Sequence, residues 1–152
     1  MKTHLAAFAL AAALAQPASA TTFPTLTTIY IGSGVQDTTG SSATTGTLVS
    51  CSNVSGVTAS LRLLFLHVTG AVAAQTTVSI PHGATRTYAT RGIFSVYTNN
   101  LVTGQIQGGA VNIESTQSGM FCTAMIMDGA PTGPNGVQLH LVRVNAHPGT
   151  VE

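Results

Sequence analysis

From residue 57 to 68 the chain reads VTASLRLLFLHV, and Val57, Ala59, Leu61, Leu63 and Phe65 occupy every second position. A period of two is the signature of an extended strand, because successive side chains point to opposite faces. Leu64, Leu66 and Val68 extend the other face. No segment places apolar residues at the i, i+3, i+4, i+7 spacing of an amphipathic helix. Thr is the commonest polar residue, with 24 copies, and its branched Cβ suits a pleated surface. These patterns restrict the chain to an all-β fold.

The remaining segments follow the same rule. Residues 25–31 read as a strand that Gly32 stops, and the Gly/Ser/Thr-rich stretch 33–46 reads as a flexible loop. Strands are predicted at 47–52, 72–80, 85–90 and 93–97, the last two separated by Arg91-Gly92. Residues 98–104 read as a loop. Segments 109–116 and 120–127 look like a hairpin turning at 117–119, and 128–136 is a turn cluster before a last strand at 137–144. Residues 120–127 are apolar on both faces, which suits an interior strand. Short strands with turns every 8–12 residues predict an antiparallel sandwich or barrel.

Residues 1–20 carry the three parts of a secretory signal: Lys2 near the start, a ten-residue apolar run at 5–14, and small residues at Ala18-Ser19-Ala20. The run is too short to span a bilayer. Cleavage is expected near Ala20, leaving one domain over 21–152 in the periplasm or outside the cell. Export places Cys51 and Cys122 in an oxidising compartment, where a single pair has one intramolecular connectivity. One lies in an early strand and one in a late strand, 71 positions apart. This placement resembles the bridge of immunoglobulin-like sandwiches, which joins strands across two sheets. The resemblance implies an antiparallel immunoglobulin-like β-sandwich of about 7–9 strands pinned by one disulfide, and it transfers no function. The chain has no Trp, and Met120, not Tyr, stands two residues before Cys122.

Charge narrows the chemistry. Only 6% of residues are charged, against about 25% in an average soluble domain. Past residue 20, Arg62, Arg86, Arg91 and Arg143 stand against Asp37, Glu114, Asp128 and Glu152, so the domain is formally neutral and has no lysine. Without a basic stripe, phosphate-neutralising nucleic-acid binding is excluded. The four acidic residues suggest no catalytic pair, and Glu114, alternating with Ile113 and Val111, is expected to face solvent. There is no G-x-S-x-G elbow, no H-E-x-x-H pair and no phosphate loop leading into a helix. The expectation is therefore no enzyme and no cofactor.

Three binding chemistries are weighed against packing. His67, His82, His140 and His147 with Met120, Met125 and Met127 raise copper, since imidazole and thioether suit that metal. No His follows Cys122 closely, however, and Met125 and Met127 alternating with Ile126 read as sheet packing. Tyr88 and Tyr97 flank the Arg91-Gly92 bend and, with Arg86 and Arg91, outline a small surface patch for a glycan or small ligand. Asn53-Val54-Ser55 fits a glycosylation sequon and is discounted in a chain whose signal looks bacterial. The feature that favours a role is the lack of edge defence, because sheet edges are ordinarily blunted by lysine or proline. The uncharged, β-rich strand 25–31, close to the new N-terminus, is expected either to pair within its own domain or to add to a neighbour's edge. The reading that results is an exported structural or interaction domain that binds a second copy or another exported protein, with a glycan- or small-ligand-binding module as the alternative.

Overall fold

The computed structural model describes residues 25–39, 45–92, 99–128 and 135–144. Among them are ten strands and no helix: β1 (Thr27–Asp37), β2 (Gly46–Asn53), β3 (Ala59–Leu66), β4 (Val72–Ile80), β5 (Thr85–Ala89), β6 (Asn99–Asn100), β7 (Ile106–Ser115), β8 (Met120–Met127), β9 (Gly136–Leu139) and β10 (Leu141–Arg143). They form two five-stranded sheets, ordered β10-β1-β7-β3-β4 and β6-β5-β2-β8-β9. Neighbours are antiparallel except the short β5–β6 pair. The predicted signal segment 1–20 lies outside the described residues, as do 93–97.

The alternation of β3 builds the core as its period requires. Ala59, Leu61, Leu63 and Phe65 are fully buried, and they share one cluster with Val111 and Ile113 of β7 and with Val49, Cys51, Tyr88 and Met120 of the other sheet. Each large side chain removed from water contributes about 1.5–3 kcal/mol, so this shared layer is the main force holding the sheets face to face. Val57 precedes the paired part of β3 and is exposed, so the inward row begins at Ala59.

Polar contacts fix how one sheet sits on the other. Tyr30 of β1 donates its hydroxyl to the Met120 carbonyl of β8 at 3.0 Å. The Thr47 hydroxyl of β2 accepts from the Gln36 N–H at 2.9 Å and donates to the Gln36 carbonyl at 3.0 Å. Arg143 lies over the Tyr30 ring, 5.6 Å from its centroid, and donates to the Ser118 carbonyl at 2.7 Å.

The strand connections differ from the sequence reading in four places. Gly32 does not stop β1, which continues beside β7 to Asp37. An irregularity around Gly34, at φ +91°, turns Val35 and Asp37 inward, and both are fully buried. The pair 109–116 and 120–127 is not a hairpin, since β7 and β8 lie in different sheets and 117–119 carries the chain over the core's end. The predicted strand 137–144 divides at His140, β9 pairing with β8 and β10 with β1.

The fourth difference concerns the bridge. Cys51 and Cys122 are joined, as expected. They are directly opposed residues of β2 and β8, with Cα atoms 4.2 Å apart. That short spacing is typical of a non-hydrogen-bonded antiparallel pair. The bridge thus lies within one sheet, where the immunoglobulin resemblance implied one between sheets. The cause is the crossing at 117–119, which sets β8 beside β2 instead of β7.

Candidate functional site

A sheet edge offers unpaired N–H and C=O groups, and its length decides what it can recruit. Three of the four edges here are short: β10 has three residues, β6 two and β9 four. The fourth is β4, nine residues reading VAAQTTVSI, which spans roughly 30 Å at ~3.4 Å per residue. It pairs with β3 from Ala59↔Ile80 to Leu66↔Val72, and its other side meets no strand among the described residues. It contains no charge and no proline, and Pro81 stands just beyond its end.

The side chains of β4 divide between the two faces. Val78 packs against the core and Ile80 is fully buried, whereas Gln75, Thr77 and Ser79 are exposed on the outer face. The nearest charge is Arg62 of β3, the register partner of Thr77. Arg62 is held by Glu114: its Nε donates to Oε2 at 2.6 Å, and Nη2 contacts the same oxygen. Asn112 donates to the other Glu114 oxygen at 3.1 Å. Glu114 does lie on the outer face, but these partners leave it buried where solvation was expected.

β1, which contains most of the predicted strand 25–31, takes the first of its two expected placements and pairs within its own domain. β1 is flanked by β7 along its length and by β10 at Tyr30, Ile31 and Gly32, and the Val144 N–H donates to the Ile29 carbonyl at 3.0 Å. From Ile29 to Gly32 it therefore has neighbours on both sides. An undefended edge therefore exists, on a different strand.

The tyrosine–arginine patch is not assembled from its described members. Tyr88 is 1% exposed and belongs to the core, because Thr85 and Thr87 take the outer face of β5. Burial pushes its phenol above the ordinary value, partly offset by the nearby Asn99 side chain and the Arg86 guanidinium. The Tyr88 hydroxyl makes no hydrogen bond of good geometry among the described residues. Arg91 donates to the Thr38 hydroxyl at 3.0 Å and the Thr45 carbonyl at 3.4 Å, clasping the chain between β1 and β2. Arg86 is half-buried on β5 opposite Cys51. Tyr97 lies outside the described residues.

The remaining polar groups serve local structure. Fully buried Asp37 accepts from the Thr39 N–H at 2.8 Å, the Thr39 hydroxyl at 2.5 Å and the Thr103 hydroxyl at 2.9 Å. Asp128 accepts from the Asn135 N–H at 2.9 Å across its turn. His82 Nδ1 accepts from the Gly56 N–H at 3.1 Å, and exposed His140 separates β9 from β10. His147 and Glu152 lie outside the described residues. No group of three or more His, Cys, Asp or Glu residues is placed to hold a metal among the described residues. Met120 faces the core whereas Met125 and Met127 share the outer face of β8, so the three methionines do not meet at one point. The sequon residue Asn53 is buried, with its amide nitrogen donating to the Val57 and Ile80 carbonyls, both at 2.7 Å.

Two concavities lie on the outer surface of the described residues. One, of about 320 Å³, lies on the outer face of the second sheet between Leu48, Met125 and Met127, with Ser50, Thr87 and Thr123 at its walls. The other, of about 340 Å³, is lined by Ile31, Ser33, His140, Val142 and Val144 beside β10. Neither gathers charged or catalytic groups. In comparisons with known proteins, the chain matches no family model, no curated protein and no solved structure.

Proposed function

We propose that this protein is a non-enzymatic exported domain with a structural or interaction role, acting through the unpaired edge of its first sheet. Residues 1–20 serve as a secretory signal cleaved near Ala20, and 21–152 work as one domain in the periplasm or outside the cell. The observation that supports this reading most is β4, nine uncharged residues at the end of a sheet. Such an edge recruits another strand by main-chain hydrogen bonds, the mode known as β-augmentation. The Cys51–Cys122 bridge is compatible with export. Among the described residues no helix is long and apolar enough to cross a membrane.

The test is light scattering behind size exclusion on oxidised 21–152 over a concentration series, with a pull-down from the exported protein fraction. Mass rising with concentration, or a stoichiometric exported partner lost on charging β4, supports the reading. A monomer throughout that retains no partner overturns it.

A further inference from the structure

We infer that Asn135–Gly136, where the chain enters β9, is a site of spontaneous covalent modification: the Asn135 side chain closes on the Gly136 nitrogen, loses ammonia and takes up water, and the product loosens β9 from β8. This chemistry is independent of how the β4 edge is used.

The attacking atom is the backbone nitrogen of the following residue, so a side chain on that residue obstructs the approach, and glycine presents none. Asn135–Gly136 is the one Asn–Gly pair in the chain. The other described asparagines all precede residues with side chains. Two of them are also held firmly. The Asn53 amide nitrogen donates to two carbonyls at 2.7 Å, and that of Asn112 donates to Glu114 at 3.1 Å. Asn135 is exposed, and its Nδ2 lies 3.5 Å from an Asp128 carboxylate oxygen, the outer limit of a hydrogen bond.

The ladder leaves the nucleophile free. The Asp128 N–H donates to the Asn135 carbonyl at 3.0 Å, which makes 128 and 135 a hydrogen-bonded step between β8 and β9. Bonded and non-bonded pairs alternate along an antiparallel ladder, so the next pair, Met127 and Gly136, is non-bonded and the Gly136 N–H points away from β8. The disulfide agrees with this parity. Cys51 and Cys122 form a non-hydrogen-bonded pair of β2 and β8, so Cys122 turns its N–H toward β9 and Met127 turns its own toward β2. β9 ends its sheet, and no strand among the described residues takes up the Gly136 N–H on the other side.

The Gly136 nitrogen gives its proton to solvent and bonds to Asn135 Cγ. The Cγ–Nδ2 bond breaks, and Nδ2 leaves as ammonia. Water then opens the resulting succinimide at either carbonyl. Opening at Cγ leaves aspartate, and opening at the main-chain carbonyl leaves isoaspartate, whose backbone runs through Cβ. The net change is an amide and a water converted to a carboxylic acid and ammonia. Either product sets a carboxylate beside that of Asp128, which accepts from the Asn135 N–H at 2.9 Å. Like charges facing each other across an antiparallel pair are destabilising, and isoaspartate also lengthens the backbone at the first step of β9. β9 has only four residues to resist this, whereas β8 is paired with β2 along its length and bridged to it.

The test ages oxidised 21–152 below its melting temperature at mildly alkaline pH, beside Gly136→Ala. A Cβ added at 136 would lie 3.4 Å from Met127 Cγ, an ordinary contact, and thermal melts verify that the variant folds. Isoelectric focusing should reveal an acidic species in the wild type, with ammonia released in equal amount. Peptide mapping with enzymatic isoaspartate methylation should place it at 135. Gly136→Ala should form this species at most about a tenth as fast. No acidic species, one that maps to another asparagine, or equal rates in the two chains overturns the inference. Ageing in guanidinium chloride supplies the unfolded rate. A native rate within about tenfold of it supports the free Gly136 N–H, and a slower one overturns that geometry. In the aged fraction the β9 amides should exchange hydrogen about tenfold faster or more while β2 keeps its protection, and unchanged β9 exchange overturns the loosening of the strand.

Discussion

Reducing the Cys51–Cys122 bridge is expected to cost the domain about 4 kcal/mol of stability. The two cysteines are 71 positions apart, and the loop they close contains β3 to β7, strands of both sheets. Constraining a loop of that length lowers the denatured chain's entropy by an amount worth about 4.4 kcal/mol at 25 °C in the chain-entropy model. The bridged residues are already register partners in β2 and β8, so reduction leaves the native pairing with no reason to move. The effect should therefore appear in the denatured state. Urea unfolding of the oxidised and reduced wild-type chain reads it directly. The midpoint should fall, the denaturant dependence should steepen as the reduced chain expands further, and the melting temperature should drop by roughly 10–20 °C. The Cys51→Ala/Cys122→Ala chain should lose about a further 1–2 kcal/mol, because Cys51 is fully buried and its truncation leaves a cavity. A loss below about 1 kcal/mol on reduction, with unchanged denaturant dependence, would refute the argument that the bridge acts on the unfolded chain.

Three smaller perturbations probe separate contacts. Tyr30→Phe removes the hydroxyl that reaches the Met120 carbonyl across the core, and chemical denaturation should show a loss of about 1 kcal/mol; no loss would mean that this bond does not secure the sheets. Val102 is an exposed β-branched residue at φ +46°, so Val102→Asn should gain about 1 kcal/mol, and an unchanged or lower unfolding midpoint counts against strain there. Tyr88→Phe removes a buried hydroxyl without a good partner and should be neutral or stabilising by up to about 1 kcal/mol at pH 7. Because burial raises the Tyr88 pKa above 10.0 in the fold, its contribution is fully present below pH 10 and is lost as pH rises through the higher folded value. Wild-type stability should accordingly fall more steeply above pH 10 than that of Tyr88→Phe, and parallel curves would reject the assignment.

Periodicity revealed which side of a strand is buried, and little about which strand lies beside it. The row Ala59, Leu61, Leu63 and Phe65 was legible because alternate burial is a local consequence of extended geometry. The bounds of β4 and β8 were legible for the same reason, with Pro81 and Gly119 marking breaks. The crossing between β7 and β8 was not, since a four-residue connection serves a hairpin and a sheet change alike. Gly32 read as a stop because glycine is rare in strands. It lies instead where the Leu141 side chain would sit 2.6 Å from an added Cβ, so a missing side chain admits β10. For the candidate site, the lack of lysine was visible in composition, but edge position is a property of sheet order. That is why the sequence leaves open whether 25–31 pairs within its own domain or adds to a neighbour, and does not single out β4 as the long edge. Tyr88 could have been assigned inward from its own neighbours, because Thr85 and Thr87 claim the outer face of β5.

The two sheets show how this chain defends its edges with so few charges. Lysine, the ordinary device, is missing past residue 20, and shortness takes its place: β6, β9 and β10 offer too few main-chain groups to nucleate a neighbour. Shortness comes from the strands that switch sheets, since a segment divided at His140 supplies two stubs where one continuous strand would leave a long edge. β4 escapes this device because it is the return of a hairpin with the most apolar strand and pairs along the length of β3, with one register shift between Ala74 and Val72. Interrupting β4 would expose the end of the Leu61–Leu63–Phe65 row, so the core that stabilises the fold is what keeps the edge long. The fold and the candidate recruiting surface thus share one cause. Changes that charge the outer row of β4 leave that core intact, which makes the surface separable from the fold by experiment.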